Sequence, residues 1–233
     1  MKWLNLIQNG LFPPTCILCD NLSRCDKDIC QSCLNQLIEN KNYCYQCSTP
    51  FQQPTPQNTV CTACLKNSPA YNRTIAPFAH QGIMRHLVTR LKFNDHYKNA
   101  RLLGMLLAEK IQAETQLPEC IIPVPLHKNR YQERGFNQSI EIARTLSKKL
   151  NIPLELNTCI RHRDTPHQVG LSKQERLVNV KDAFSLQKPL PFSHVVLLDD
   201  VMTAGATLHE IASVLKKNGV EKVDVWVCAR AYY

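Results

Sequence analysis

Two adjacent carboxylates, Asp199 and Asp200, follow the apolar run Val195 to Leu198 and precede the segment Thr203-Ala-Gly-Ala-Thr207. An apolar run of this kind between polar residues reads as a strand buried on both faces of a parallel sheet. The acids then lie at the strand's carboxyl end, the edge where open α/β sheets bind ligands. Thr203 to Thr207 turns into a helical stretch, Thr207 to Asn218. Gly205 lets the backbone approach a ligand, and the N–H groups of the turn face outward at a helix start, a cradle for phosphate. A carboxylate pair beside that cradle suits a ligand with ribose hydroxyls next to its phosphate. The competing reading is a structural strand–turn–helix corner, for which two neighbouring acids are a poor choice.

A second set of chemical residues lies near the start of the chain. Nine of the twelve cysteines precede residue 65, and eight of them form the Cys-x-x-Cys pairs Cys16/Cys19, Cys30/Cys33, Cys44/Cys47 and Cys61/Cys64. Each pair aims two thiolates at one tetrahedral metal, so two pairs complete a structural zinc site. No histidine precedes His80, so both sites are all-cysteine and closed to catalysis. Pairing neighbours gives a double zinc ribbon with two zinc ions, and an interleaved pairing serves the spacing as well. Cys25 is left over, as a free thiol or a swapped ligand. A disulfide scaffold or a thioredoxin-like motif fits the spacing and context less well. The short segment buries too little apolar surface to fold without metal.

The elements between these two sets must carry further ligand contacts. Residues 1–70 read as the cysteine-rich module, with Ser68 to Tyr71 as linker, and residues 71–233 as an α/β domain. Arg73 to His80 reads as an edge strand because of Pro77. Helices are expected at Ile83 to Phe93, Lys98 to Glu114, Gln138 to Leu150 and Leu208 to Lys217, and strands at Cys120 to Pro125, Leu154 to Ile160 and Val223 to Ala229. Lys92 falls near the end of the first helix, as a solvated side chain or a cation aimed at substrate. The loop Leu126 to Gln138 carries His127, Lys128, Arg130 and Arg134 away from a strand end, where guanidinium groups can meet pyrophosphate. A polar, basic stretch follows from Arg161 to Asn179. Its His162 and His167 are proton-transfer candidates, although most loop histidines are only solvated.

Charge and hydropathy bound the rest. The formal charge is +9 and hydrophobic residues make up 44%, enough for a core and against wholesale disorder. Five basic and four acidic residues precede residue 71, and 23 basic against 15 acidic residues follow it. The positive field therefore belongs to the second domain and favours anions, free phosphates or nucleic acid. No apolar run is long enough to span a membrane, and residues 1–12 do not form a signal peptide, so the expected compartment is the cytoplasm, without membrane insertion.

Four apolar residues followed by Asp-Asp-x-x-Thr-x-Gly-x-Thr resemble the signature of type I phosphoribosyltransferases. With Pro123-Val-Pro125, Arg134-Gly-Phe-Asn-Gln138 and Arg163-x-Thr-x-x-Gln168 behind a cysteine-rich head, nearly the whole chain from Phe12 onward resembles the ComF/GntX family. The resemblance implies a type I phosphoribosyltransferase-like parallel sheet flanked by helices, behind a small zinc-ribbon module. It implies binding of 5-phosphoribosyl-1-pyrophosphate (PRPP) with magnesium. Asp199 and Asp200 would hold the ribose hydroxyls and act catalytically, and the binding segment would be Asp199, Asp200, Val201, Met202, Thr203, Ala204, Gly205, Ala206 and Thr207. Lys92, Arg130, Arg134, Arg163 and Arg176 would meet pyrophosphate or substrate, with 161–179 as the hood that excludes water. ComF membership implies handling of incoming single-stranded DNA in natural transformation, with a helicase or recombination mediator as partner. The GntX branch implies gluconate utilisation instead. A phosphoribosyltransferase acting on a nucleobase or other small acceptor is a further expectation, although no purine or pyrimidine pocket is recognisable. A third is a DNA-binding scaffold on the same fold.

Overall fold

The computed structural model describes residues 15–23, 27–91, 96–112, 114, 116–165 and 173–232, with the side chains of residues 96, 173, 174, 176 and 177 outside that description. Cys25, Lys92, His167 and Gln168, the side chain of Arg176 and the stretch 1–12 therefore lie outside the described residues. In chain order the elements are α1 (Gln31–Leu34), α2 (Thr62–Lys66), β1 (Arg73–Ile75), β2 (Phe78–Ala79), α3 (Gly82–Leu91), α4 (His96–Ile111) and β3 (Cys120–Pro123). They continue with α5 (Lys128–Arg134), α6 (Gln138–Leu150), β4 (Cys159–Arg161), α7 (Lys173–Val180), β5 (Phe184–Leu186), β6 (His194–Met202), α8 (Ala206–Lys217) and β7 (Lys222–Arg230).

The main sheet runs β1-β7-β6-β3, with β2 also on β7, and every pairing in it is parallel. Its central strand β6 buries His194 through Leu198, as a strand covered on both faces must. Alternate residues serve opposite faces. Val196 and Leu198 join Leu87, Leu103 and Ile142 under α3, α4 and α6, while Val195 and Leu197 join Ile211 and Leu215 of α8. Asn137 caps α6, its Oδ1 accepting from the N–H groups of Ser139 (2.9 Å) and Ile140 (3.4 Å). Gly104 lets α4 meet α6 closely, since a Cβ there would stand 2.6 Å from Thr145 Cβ.

Pro77 splits the expected edge strand into β1 and β2, and both remain at the sheet edge. The expected strand Leu154 to Ile160 is broken in two. Leu154 makes a single parallel bridge beside Ile121, and Cys159–Arg161 turns away to pair antiparallel with β5. The basic loop after β3 contains a two-turn helix, α5. β6 runs on past the acids to Met202 before the turn begins.

Candidate functional site

The acid pair and the turn after it lie together at the end of the central strand. Ser139 Oγ, on the first turn of α6, donates to Asp199 Oδ1 over 2.9 Å, and the same oxygen accepts from the Asp200 N–H, also 2.9 Å. Asp200 Oδ1 accepts from the Val201 N–H at 2.8 Å, and Asp200 is only 4% exposed. Beneath them Cys228 is buried. Burial pushes its thiol well above the ordinary range, and the charges of Asp200 and Asp199 push it further. The thiol stays protonated and takes no part in the site.

The turn into α8 has the geometry a phosphate needs. Gly205 adopts φ 77°, ψ 8°, and no side chain caps the helix it begins. The first N–H groups of α8 thus point toward the sheet's carboxyl edge without a capping side chain. A Cβ on residue 205 would stand 2.6 Å from Met202 Cε and 3.0 Å from the Tyr71 hydroxyl, so both backbone angle and space demand glycine. Thr203, Ala204 and Thr207 are half-buried. Val201 and Met202 differ from the expectation that the whole segment grips ligand. Val201 packs on the core, Met202 is buried, and the Met202 carbonyl accepts from Ala231 N–H and Arg230 Nη1.

The cations expected from sequence are sorted by the fold. Arg130 Nη2 donates to the Thr165 carbonyl at 3.2 Å, and Arg134 Nη1 to Gln138 Oε1 at 2.6 Å. Arg163 is held by the carbonyls of Asn179 (2.9 Å) and Lys181 near the end of α7. His127 does not extend from the loop toward a ligand. It is buried, and its Nδ1 accepts from the Asn129 N–H as the cap of α5. Arg161, which spacing did not single out, stacks on Phe184 at 5.5 Å and bonds Thr165 Oγ1. Burial lowers its pKa, and the neighbouring Arg130 and Arg163 charges lower it further against Asp164 and Asp199. Cations crowded this way favour an anion between them, as a pyrophosphate would be. Ser139, Arg161, Tyr71 and Arg230 carry no motif, and only contacts across the fold identify them.

A groove of about 590 Å³ between the head and α4 is crossed by the Glu39–Lys110 ion pair. Another, of about 470 Å³, opens at the end of β3. Tyr131, Gln132, Asn157, Gln187, Lys128 and Arg161 are among the residues that line it.

The eight cysteines gather as two sets of four, Cys16/Cys19/Cys30/Cys33 and Cys44/Cys47/Cys61/Cys64, with all sulfurs of a set within 4.8 Å of one another. Neighbouring pairs are therefore the partners, and the interleaved arrangement is excluded. A tetrahedral zinc with bonds of about 2.3 Å requires sulfurs about 3.8 Å apart. Cys19 lies 3.6 Å from both Cys30 and Cys33, and Cys47 lies 3.8 Å from Cys61, so both sets fit zinc. The first set packs with the α4 side of the core and the second with the α8 side.

Two family models match the chain. Residues 7–65 match the double zinc ribbon domain and residues 137–231 the phosphoribosyl transferase domain. The chain is 36% identical to competence protein F of Haemophilus influenzae, over 93% of this chain and 96% of that protein. It is 35% identical to the DNA utilization protein YhgH of Escherichia coli K12, over 87% and 90% of the two chains. It is 25% identical to competence protein ComFC of Bacillus subtilis, over 90% and 92%. Among the described residues no helix is long and apolar enough to cross a membrane.

Proposed function

The chain belongs to the family of competence protein F and the DNA utilization proteins, and on that premise we propose that it handles incoming single-stranded DNA in the cytoplasm and binds PRPP at Asp199 to Thr207. The observation that carries the PRPP reading is the juxtaposition of two carboxylates with a glycine-led helix start that no side chain caps. Asp199 and Asp200 hold the ribose hydroxyls, Ser139 fixes Asp199, and the N–H groups of the turn hold the 5-phosphate. Magnesium, carried mainly by the pyrophosphate oxygens, would neutralise charge on the leaving group. Arg161, which feels the charges of both Arg130 and Asp199, and Arg130 itself would meet that group.

In transfer, the bond from the anomeric carbon to pyrophosphate breaks and a bond to the acceptor nucleophile forms, with loss of the acceptor's proton. Positive charge develops on the ribose, and the two carboxylates stabilise it. The 470 Å³ groove is the place for a nucleotide of the strand. A base stacks on Tyr131, which is 49% exposed, the amides of Gln132, Asn157 and Gln187 meet its edge, and Lys128 meets the backbone phosphate.

Calorimetric titration with PRPP and magnesium tests the first half of this reading, and no binding at millimolar ligand overturns it. Asp199→Asn and Asp200→Asn should each weaken PRPP roughly 10- to 100-fold, the range of a lost hydrogen bond to a charged group, while DNA affinity holds. Tyr131→Ala should weaken single-stranded DNA roughly tenfold and leave PRPP unchanged. DNA affinity that does not fall with salt counts against a phosphate-contacting surface.

A further inference from the structure

We propose that the second cysteine cluster is part of the phosphate site: zinc held by Cys44, Cys47, Cys61 and Cys64 positions the 203–207 turn through Arg230 and Tyr71. The inference rests on reading that turn as the phosphate cradle.

Arg230, the last residue of β7, is 8% exposed and carries five hydrogen bonds. Its Nε donates to the carbonyl of Cys47 at 2.9 Å, and its Nη2 donates to Thr49 Oγ1 at 3.1 Å. Nη1 donates to the carbonyl of Met202 at 2.9 Å and to those of Thr203 and Ala231. One planar guanidinium thus joins a metal-ligating residue to the two residues that open the phosphate turn. Thr49 Oγ1 also lies 3.2 Å from Cys47 Sγ, so both side-chain and main-chain atoms around the ligand are tied to the same cation.

Tyr71 makes a second link. Its hydroxyl sits against Gly205, where an added Cβ would meet it at 3.0 Å. Its carbonyl accepts from Gln46 Nε2 at 3.3 Å, inside the Cys44–Cys47 knuckle. The preceding Ala70 N–H donates to His209 Nδ1, 3.0 Å away on the first turn of α8. Zinc fixes the Cys47 carbonyl by fixing Cys47. Without it the four thiols lose their common centre, Arg230 loses a defined acceptor, and the Met202 and Thr203 carbonyls lose the donor that orients the turn. The first cluster is tied instead to α4, through Lys27–Glu109 and Asp28–Arg101. The two metals therefore have different duties.

The test uses the full chain loaded with two zinc ions. Affinity for ribose 5-phosphate reads the turn, and affinity for inorganic pyrophosphate reads the basic side. Arg230→Gln should weaken ribose 5-phosphate about tenfold, about 1.4 kcal/mol, with pyrophosphate affinity and zinc content held, and Arg230→Lys should restore part of the loss. A general loss of stability would move both ligands together. Coupling is reciprocal, so saturating ribose 5-phosphate should slow zinc release to a chelator from one of the two clusters in the unaltered chain. Amide exchange at residues 203–208 should rise when zinc leaves the second cluster, with no phosphate ligand present. That last measurement separates the two claims. Faster exchange without ribose 5-phosphate binding keeps the coupling and removes the phosphate reading. Unchanged exchange, or wild-type ribose 5-phosphate affinity in a folded Arg230→Gln protein, overturns the coupling.

Discussion

Replacing Gly205 by alanine isolates the phosphate turn from the rest of the molecule. The residue sits at φ 77°, where an L side chain costs about 1–2 kcal/mol. The new Cβ also lands 2.6 Å from Met202 Cε and 3.0 Å from the Tyr71 hydroxyl. The methionine terminus can swing aside, but Tyr71 is 3% exposed and docked through its carbonyl, so the turn itself must move outward. Crowding of this kind adds about 1 kcal/mol, for a total of about 2–3 kcal/mol. In a chain of this size that lowers Tm by roughly 4–12 °C. Gly219 is the control. It has φ 94° with nothing within 4 Å of its added Cβ, so Gly219→Ala carries only the backbone cost and lies at the far end of α8. Thermal unfolding by circular dichroism and titration with ribose 5-phosphate are the assays. Both variants should melt earlier, and only Gly205→Ala should lose phosphate affinity, about tenfold or more. Wild-type affinity in Gly205→Ala would refute the assignment of the turn, whatever its Tm.

The other expectations follow from the clusters, the buried thiols and the head. Metal analysis should give two zincs per chain, with loss on acidification because protons compete for the thiolates; a count of one would leave a cluster without its metal. Burial pushes the thiols of Cys120 and Cys159 up to about 12, so at pH 8 both are protonated and should resist a thiol reagent until the chain unfolds. Rapid labelling of either in the native protein would contradict their burial. Glu39 is held below the usual carboxylate range, first by its bond to Lys110. Its contribution to head docking is therefore present above about pH 4.5 and fades as pH falls through the folded-state value. Glu39→Gln should flatten the acid side of the stability profile. Residues 71–233 expressed alone should aggregate rather than fold, and a soluble, cooperatively melting fragment would contradict this.

The parallel sheet was legible because its signals are local. Val195 to Leu198 is apolar on successive residues, so burial on both faces shows in the run itself. Gly205 and the two acids were legible for a similar reason, since strand end, acids and turn lie within nine residues. The broken strand at Leu154 to Ile160 shows the limit. Its alternating pattern suits a sheet, but only tertiary pairing decides that Leu154 joins β3 while Cys159 joins β5. His127 shows another. A histidine in a basic loop looks like a ligand until the helix behind it takes its ring nitrogen as a cap. Arg230 lies 27 residues beyond Thr203 and 183 beyond Cys47, and no local pattern marks an arginine whose main-chain acceptors come from two distant segments as well as from its own neighbour.

That arginine changes how the head is understood. Spacing alone describes residues 1–70 as a module with a linker, yet Tyr71 is buried and its neighbours are hydrogen-bonded on both sides. The head also closes the open edge of the sheet. Ala79 N–H donates to the Ile38 carbonyl, Asn40 N–H to the Pro77 carbonyl, and Thr74 N–H to the Tyr45 carbonyl. An edge strand left unpaired is a template for aggregation, and covering the edge with another segment is one way of removing it. One knuckle is seated on each side of the core behind those strands, so the metals brace the edge from both faces. A ribbon that served only to recruit a partner would need none of these bonds. The double ribbon is therefore best understood as the missing wall of the phosphoribosyl fold, with partner recognition left to whatever surface remains exposed.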